Sequence, residues 1–598
     1  MKKNNYLKQL LISTAAIAGT SVISASCTNL GILLGINKNL YITKQIPDNL
    51  LRIDYLKFKN ISHEYGIAKN NYVDIYRENG NEDLYVNVNQ MFSAMNGFFN
   101  LKMIKNIDYN NQSVKFNFWN GEQILFDADK NKIFYTSSDA FSFLFRTQMT
   151  DYGRYIHNVD YKVKNFNDSN SVPSFELNNY NYKLYIEDSN VFIPFSLFNL
   201  MFCSSNYYNL YYNGNELIGA DYEQTRVPNN YMNSFYAKNS VINTQNTRIN
   251  NYNFMSFLFD NYYGLANELF KVQQVKNFDE YATKIGIKND LLSTDNKDYN
   301  EAYFKLWYSD LNELHSRIIS YSFQDKKYKN TDGKNYSQKN ISYHERLKQL
   351  NALREKKSKN SRVVHFESPN TARIILDSFD VGTSSQLNSE EKWRYDSYWL
   401  MDAAIKKIRT DQRGKNIKNI ILDISLNGGG SAAAMEKVLG FLTNNPINLL
   451  VQDKLSKTVS LNQFNIDTNQ DSIVNKNDSY SEYKWYVLTG INTFSAANLF
   501  AHIVKTQHIA TVIGNKTGGG MFSVLPTVLP DGSNVDISST SGFSGYDGNW
   551  NNITLTNLPI TENGVEPDIY LTYDDYYSPN IINRIENYKP DNTHISID

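Results

Sequence analysis

The spacing of hydrophobic and polar positions changes from one part of the chain to the next, and the first long stretch has the pattern of β-strands. Residues 28–245 contain short aromatic and β-branched runs, such as residues 83–88 and 182–186, between turns rich in Asn, Gly and Asp. Short runs of this composition, bounded by turn residues, are typical of strands. We therefore predict a β-rich N-terminal region over residues 28–245.

The pattern changes to a helical period over residues 250–322. Phe254, Phe257 and Leu258 recur at three- and four-residue steps, and this spacing continues to Ile318. Apolar residues at these steps lie on one face of a helix. The stretch is therefore predicted to be a helical segment.

Residues 323–361 are polar and rich in Lys, with apolar positions only around Leu347 and Leu350. A segment of this kind is usually solvated and has no regular structure of its own. We predict a Lys-rich loop here, with a basic patch that binds a partner as the alternative.

Strand-like and helix-like patterns alternate from residue 362 onwards. Such alternation predicts a parallel sheet covered by helices, with the functional site at the carboxyl ends of the strands. We expect this α/β core to cover residues 362–580. Its predicted strands are residues 417–424, 485–489 and 510–513, and its predicted helices are residues 393–408, 431–442 and 495–505.

Length and charge limit the classes of protein to which the chain can belong. With 598 residues the chain is too long for a single hydrophobic core, so several domains are expected. The formal net charge is −1, which gives no basic surplus for nucleic acid. We therefore expect a multidomain protein that does not bind nucleic acid.

The N-terminus has the pattern of an export signal. Three lysines fall within the first eight residues, and residues 10–23 form an apolar run that is too short to span a bilayer comfortably. Residues 24–27 (Ser-Ala-Ser-Cys) resemble the lipobox of bacterial lipoproteins. This resemblance implies that residues 1–26 are removed, that Cys27 receives a lipid, and that the mature chain is anchored on the extracellular face of the cell membrane. An ordinary secretory signal and a retained signal anchor are the alternatives.

Two segments of the core carry candidate chemistry. Ser495 follows an apolar run and a turn, at the first turn of a predicted helix. The N–H groups there stabilise developing negative charge, although a serine in this position is often only an N-cap. Gly428, Gly429 and Gly430 also join a strand to a helix. They indicate an oxyanion hole or a phosphate-binding loop, but no Gly-Lys-Ser/Thr follows as a phosphate loop would require.

These segments resemble the C-terminal-processing (tail-specific) serine peptidases. Residues 423–430 (Asp-Ile-Ser-Leu-Asn-Gly-Gly-Gly) are similar to their Asp-x-Arg-x-Asn-x-Gly-Gly segment, and residues 494–498 (Phe-Ser-Ala-Ala-Asn) to their Ala-Ser-Ala-Ser-Glu nucleophile turn. Three further segments match in order, at residues 512–520, 531–533 and 564–569.

The resemblance covers roughly residues 250–580, and it implies a ClpP/crotonase-like α/β core over residues 362–580. It also implies that Ser495 forms an acyl-enzyme, while the N–H of Ala496 and that of Gly428 or Gly429 hold the oxyanion. The substrates would be proteins or peptides, and neither a metal nor a cofactor is implied.

The chain departs from the common form of this family at the general base. The family lysine stands 25 residues after the serine, where this chain has Gly520. A second, tricorn-core-like branch uses a histidine within Leu-x-Asp-x-His, and residues 310–316 (Asp-Leu-Asn-Glu-Leu-His-Ser) resemble that segment. The resemblance implies His315 as the base and Glu562 as the residue that orients it. A helix-surface His315 and a solvated Glu562 are the alternatives.

Three other functions are compatible with the sequence. The chain could be a catalytically inactive surface lipoprotein that keeps the peptidase fold and binds proteins. It could be a Ser–Lys peptidase that uses Lys516 or Lys505. It could also be a carbohydrate- or adhesin-type binder that acts through its aromatic N-terminal region.

Overall fold

The computed structural model describes residues 45–62, 64–145, 155–167, 172–222, 224–225, 230–320, 322–323, 336–357 and 363–588. The predicted signal peptide and Cys27 lie outside these residues. The described chain forms four β-sheets with helices packed against them.

The N-terminal part is rich in β-structure, as predicted. Its two sheets share one hydrophobic core with many Phe and Tyr side chains. The seven-stranded sheet has the order Tyr185–Glu187, Asn190–Pro194, Leu84–Asn87, Tyr72–Glu78, Leu50–Asn60, Leu217–Asp221 and Tyr208–Tyr212. The five-stranded antiparallel sheet has the order Ile104–Asn110, Ser113–Phe118, Gln123–Asp127, Lys132–Tyr135 and Ser174–Glu176.

Helices follow this β-rich part and recur through the core. The helix of Gln245–Tyr262 begins with a capping box at Thr244, which satisfies N–H groups of its first turn. The α-helices of seven or more residues are Val88–Ala94, Asn230–Ala237, Gln245–Tyr262, Ala266–Gln273, Phe278–Lys284, Asn296–Phe304, Gln338–Lys357, Ser397–Thr410, Ala432–Gly440, Ala496–Thr506 and Asn580–Glu586. No helix within the described residues has the length and apolar character that crossing a bilayer requires.

The predicted α/β core is built on a six-stranded sheet that is parallel from its second strand onwards. Side chains alternate between its two faces: Ile420 and Leu422 pack on one cluster, and Ile421 packs on another. Both faces are therefore buried, as parallel sheets require. The strand order is Val364–Ser368, Thr371–Ile375, Asn419–Asp423, Lys484–Thr489, Thr511–Gly514 and Ile569–Tyr570.

A fourth, antiparallel sheet joins distant parts of the chain. Strand Ile156–Asn165 of the N-terminal part pairs with Thr458–Ile466 of the core. Strand Arg317–Ser320 pairs with Asn534–Gly545. Arg317–Ser320 lies within the predicted helical segment 250–322, so that segment ends in a strand rather than a helix. The remaining strands of this sheet are Ile447–Asp453 and Phe522–Val528.

The prediction of a Lys-rich loop over residues 323–361 is wrong for its described middle part, because Gln338–Lys357 form a helix of 20 residues. Leu350 is fully buried, and Leu347 and Leu353 pack around it on one face of the parallel sheet. These leucines at three-residue steps bury one side of the helix, and most of its other charged residues are exposed, whereas Arg354 and Lys339 are largely buried beside carboxylates.

Candidate active site

Ser495 lies at the carboxyl end of a central strand of the parallel sheet, in the turn that leads into helix Ala496–Thr506. Its backbone has φ 59° and ψ −125°, which residues with a side chain rarely adopt. Such a conformation costs on the order of 1–3 kcal/mol and persists only where the surroundings hold it. Here the Ser495 N–H donates to the Gly519 carbonyl at 2.9 Å. The turn is therefore a strained strand-to-helix elbow with a half-buried serine at its tip.

The glycine turn predicted to form the oxyanion hole lies directly against Ser495. Gly429 has φ +101°, and a Cβ added to it would lie 2.7 Å from the Cβ of Ser495. Only glycine therefore allows the two segments to approach this closely.

One of the three N–H groups predicted for the oxyanion hole is already used in a hydrogen bond. The N–H of Gly429 is occupied, because it donates to the Asn427 side-chain oxygen at 2.9 Å. The N–H of Gly428 has no acceptor among the described residues. Ala496 is the first residue of its helix, so its N–H has no acceptor within that helix. Gly428 and Ala496 are therefore the two predicted positions with a free N–H.

His315 lies in the turn between the π-helical segment Lys305–Asp310 and strand Arg317–Ser320. Its ring centroid is 4.6 Å from that of Phe494, the residue before Ser495. The imidazole is buried, and its Nδ1 has no hydrogen-bond partner in the described part of the chain. The tertiary structure thus brings His315 against the nucleophile turn, although 180 residues separate them in the sequence.

The surroundings of His315 keep its side chain neutral. Burial, together with the cations Arg317 and Lys339, lowers the pKa of His315 to about 3. An imidazole with so low a pKa carries no proton on one nitrogen at neutral pH. This is the form that can accept a proton from a hydroxyl.

Gly520 occupies the position where the resemblance would place a lysine. A Cβ added to Gly520 would lie 3.1 Å from His315 Cε1 and 2.5 Å from two ring atoms of Phe494. The two rings therefore fill the space through which a longer side chain would have to pass. A lysine at position 520 would therefore collide with Phe494 and crowd the imidazole of His315.

The other candidate bases have different partners. Lys516 Nζ is 2.8 Å from a carboxylate oxygen of Glu566, and both side chains are largely exposed. Lys505 Nζ is 3.0 Å from a carboxylate oxygen of Asp568. His502 accepts a hydrogen bond on Nδ1 from the backbone of the fourth sheet.

Glu562 is held close to this centre through the loop that contains Gly520. Its Oε2 accepts a hydrogen bond from the N–H of Met521 at 2.9 Å. Its Oε1 is buried without a hydrogen-bond partner among the described residues, and Lys339 Nζ lies 3.9 Å from it. Burial raises the pKa of Glu562 to about 7, with Lys339 opposing the rise. No hydrogen bond joins Glu562 to His315 within the described residues.

Glu313 has a role that the sequence does not reveal. Its carboxylate accepts the backbone N–H of His315 at 2.6 Å and that of Ser316 at 3.0 Å. The side chain is buried, and burial raises the pKa of Glu313. Glu313 therefore fixes the backbone of the histidine turn and does not contact the imidazole through a hydrogen bond.

Helix Gln338–Lys357 adds a second set of residues that the sequence analysis missed. The Tyr343 hydroxyl lies 3.1 Å from the position of a Cβ added to Gly428. The Tyr343 ring meets Phe494 edge-on, with centroids 6.4 Å apart. Its backbone carbonyl accepts a hydrogen bond from the side chain of Asn492 at 2.7 Å. The leucine spacing could have indicated the helix, but no local signal identifies Tyr343.

Asn498 stands where the family nucleophile turn has a glutamate. Its amide nitrogen donates to the Thr561 carbonyl at 3.3 Å, and its amide oxygen accepts from the Thr517 hydroxyl at 2.6 Å. Asn498 therefore ties the helix of Ser495 to the loops that lead to Gly520 and Glu562. Within the described residues, no group of three or more His, Cys, Asp or Glu side chains could hold a metal ion.

A comparison with protein families is consistent with this geometry. Residues 371–571 match the family model described as peptidase family S41. The matched segment is about a third of the chain, and it is this segment that is similar to the S41 peptidases. It includes Ser495, the glycine turn and Glu562 but not His315. No curated protein matches the chain.

The solved structures to which this chain is similar are only distantly so. The photosystem II D1 C-terminal processing protease is 20% identical over 34% of this chain and 42% of its own length, with a TM-score of 0.24. Mature CPAF is 11% identical over 57% of this chain and 96% of its own, with a TM-score of 0.36. The tricorn protease is 11% identical over 81% of this chain and 46% of its own, with a TM-score of 0.29. The chain therefore spans less than half of the first of these relatives, and the family match and the site geometry carry the functional conclusion.

Proposed function

We propose that the protein is a serine endopeptidase that cleaves proteins or peptides through an acyl-enzyme on Ser495, with His315 as the general base. The observation that carries this proposal is the contact of the His315 ring with Phe494 at 4.6 Å, next to the strained backbone of Ser495. This contact places a neutral, buried imidazole beside the turn that carries the half-buried Ser495.

In the first step, the imidazole of His315 takes the hydroxyl proton of Ser495 while the serine oxygen attacks the carbonyl carbon of the peptide bond. The bond to the leaving nitrogen then breaks, and the imidazolium returns its proton to that amine. A water molecule hydrolyses the acyl-enzyme by the same two proton transfers.

Two backbone N–H groups and one carboxylate assist these steps. The N–H groups of Gly428 and Ala496 stabilise the oxyanion of the tetrahedral intermediate. Glu562 stabilises the imidazolium and orients the ring, which requires its buried Oε1 to pair with the buried Nδ1 of His315. Both atoms lack a partner in the described residues, which supports their pairing when substrate binds.

Labelling with a fluorophosphonate probe and hydrolysis of a quenched casein substrate test this mechanism together. We expect the wild-type protein to do both, Ser495→Ala to do neither, and His315→Gln to lose at least about 1000-fold in kcat/KM. Lys516→Met is the matched control and should retain full activity. Equal labelling of wild type and Ser495→Ala, or activity that survives in His315→Gln but not in Lys516→Met, would contradict the assignment.

A catalytically inactive peptidase-fold protein that binds other proteins is the second candidate. The observations that favour it are Gly520 at the position of the family lysine and Asn498 at that of the glutamate in the nucleophile turn. A wild-type protein that neither labels nor hydrolyses, yet retains its folded circular dichroism spectrum, would support this function.

We also propose that the protein is attached to the outer face of the cell membrane through a lipid on Cys27. The support is the run of three lysines, an apolar stretch and Ser-Ala-Ser-Cys at residues 24–27. Metabolic labelling with an alkyne fatty acid should mark the wild-type protein and not Cys27→Ala. Equal labelling of the two would contradict the anchor.

A further inference from the structure

A cavity of about 380 Å³ lies at the junction of the N-terminal part and the core, and none of the proposed active-site residues is among those that line it. Its walls come from the seven-stranded sheet, from helix Gln245–Tyr262 and from the turn that follows strand Phe522–Val528. The apolar part of the lining includes Ile53, Phe195 and Leu529. Small-molecule sites are commonly of this size and commonly lie at such junctions.

The charged side chains in the lining are mainly acidic. They are Asp54, Glu82 and Asp83, with Arg77 as a cation whose side chain is exposed. Asp54 and Glu82 each accept a hydrogen bond from a neighbouring hydroxyl. No side chain among the described residues donates a hydrogen bond to Asp83, whose carboxyl has only the Leu84 N–H near it.

Two polar side chains of the lining are almost completely buried and have no side-chain hydrogen-bond partner among the described residues. Asp83 is 6% exposed and Asn250 is 4% exposed. The Asn250 side chain also has no hydrogen-bond partner in the described parts of the chain. Polar side chains in protein interiors are nearly always hydrogen-bonded. A carboxyl and a carboxamide that line one cavity without side-chain partners are therefore available to the donors of a ligand.

The electrostatic surroundings of Asp83 favour a cation. Burial and repulsion by Glu78 raise the pKa of Asp83 to about 7, and the hydroxyls of Tyr85 and Tyr182 also face it. The other charged groups around the cavity are the Asp54 and Glu82 carboxylates and the Arg77 guanidinium. A cation beside Asp83 would hold its carboxyl ionised, whereas an anion would meet three acidic side chains.

We propose that this cavity binds a small organic cation with an apolar body, whose ammonium group pairs with Asp83 and donates to the Asn250 side-chain oxygen. The apolar walls take the body of the ligand, and the single carboxylate without a side-chain partner takes its charge. The proposal rests on the cavity alone and is independent of the peptidase activity.

Three probes that share a phenyl body and differ in the head group test this site on the purified protein by calorimetry at pH 8. They are 2-phenylethylamine, 2-phenylethanol and 3-phenylpropionate. We expect the amine to bind at least about tenfold more tightly than the alcohol, and the carboxylate to bind most weakly, because a charged hydrogen bond in a buried site is stronger than a neutral one. Absence of amine binding, or equal affinity for the three probes, would overturn the proposal.

Substitutions locate the bound probe. Asp83→Asn keeps the shape of the side chain and should weaken the amine at least about tenfold, while the alcohol is unaffected. Asp129→Asn removes an exposed carboxylate outside the cavity and should change nothing. An Asp83→Asn variant that binds the amine as wild type does would overturn the site. If that variant does not fold, Asn250→Leu decides: amine binding about threefold weaker or more supports the site, and unchanged binding overturns it.

Discussion

Ser495 keeps its strained backbone because the loop containing Gly519 and the glycine turn hold it from two sides. Its N–H is bonded to Gly519, and Gly429 packs against its Cβ. Gly520 has a comparable role for the base, because a Cβ there would approach both the imidazole and Phe494. At the residue scale, these three glycines matter through the side chains they lack, since each lets two segments of the site approach within van der Waals distance.

The pH dependence of activity should report on Glu562. Its pKa is raised to about 7, so the carboxyl is protonated below this pH and ionised above it. Only the ionised form stabilises an imidazolium, so kcat/KM should rise through an apparent pKa near that value. Glu562→Gln should lower kcat/KM by about 100-fold or more and remove this limb from the pH–rate profile.

Steady-state hydrolysis of the quenched casein substrate over pH 5–9 measures both effects. Glu566→Gln is the matched control, because Glu566 lies in the same segment but pairs with Lys516 at the surface. A rise near pH 7 that persists unchanged in Glu562→Gln would contradict the role given to Glu562.

At the scale of elements, helix Gln338–Lys357 is the part that connects the sheet to the site. Its leucines bury one face against the parallel sheet. Its first turns reach the centre: the ammonium of Lys339 donates to the Glu562 carbonyl at 3.3 Å, and Tyr343 lies over Gly428. One helix therefore contacts both the carboxylate and the glycine turn of the proposed mechanism.

Tyr343→Phe tests whether the hydroxyl of this helix takes part in the reaction. The hydroxyl lies 3.1 Å from the position of a Cβ added to Gly428, whose N–H is free, so we expect it to donate to the oxyanion as a third group. Its removal should lower kcat by about tenfold or more with little change in KM, because the bond would be strongest in the transition state. Tyr336→Phe, an exposed tyrosine two residues before the helix, is the control. A Tyr343→Phe enzyme as active as wild type would show that the ring contributes only packing.

At the scale of the whole molecule, the N-terminal part and the core share a sheet and a hydrophobic core. Strand Ile156–Asn165 covers the edge strand Thr458–Ile466 through nine residue pairs. The main N-terminal cluster also includes Leu525 and Val535 of the core. An uncovered strand edge is a site for aggregation, so we expect the core to need the N-terminal part to stay soluble.

Removal of residues 1–245 tests this dependence. We expect the remaining chain to aggregate or to lose fluorophosphonate labelling, because it would expose the edge of Thr458–Ile466 and part of the shared core. Size-exclusion chromatography and labelling measure the outcome. A monomeric, labelled fragment would contradict it and would show that residue 245 is a true domain boundary.

Local patterns along the sequence are sufficient for part of this architecture. The short aromatic runs predict the β-rich N-terminal region, and the alternation after residue 362 predicts the parallel sheet of the core. Both succeed because hydrophobic period follows directly from backbone geometry. The strand–turn–helix at Ser495 and the glycine turn at residues 428–430 are also visible in short runs of sequence. The sequence alone therefore indicates that they belong to one site.

The rest is decided by contacts between distant segments. Helix Gln338–Lys357 has only three leucines on its buried face, which a local reading cannot separate from a polar loop. The sequence around Gly428 and Gly429 does not indicate which of the two N–H groups is free. The Asn427 side chain accepts a hydrogen bond from the N–H of Gly429 only in the folded turn. The contact of His315 with Phe494, the position of Tyr343 and the acidic cavity all depend on packing between segments that the chain separates. Sequence period determined the elements of this protein, and tertiary packing decided which side chains meet, because burial and unpaired polar groups exist only after the elements have come together.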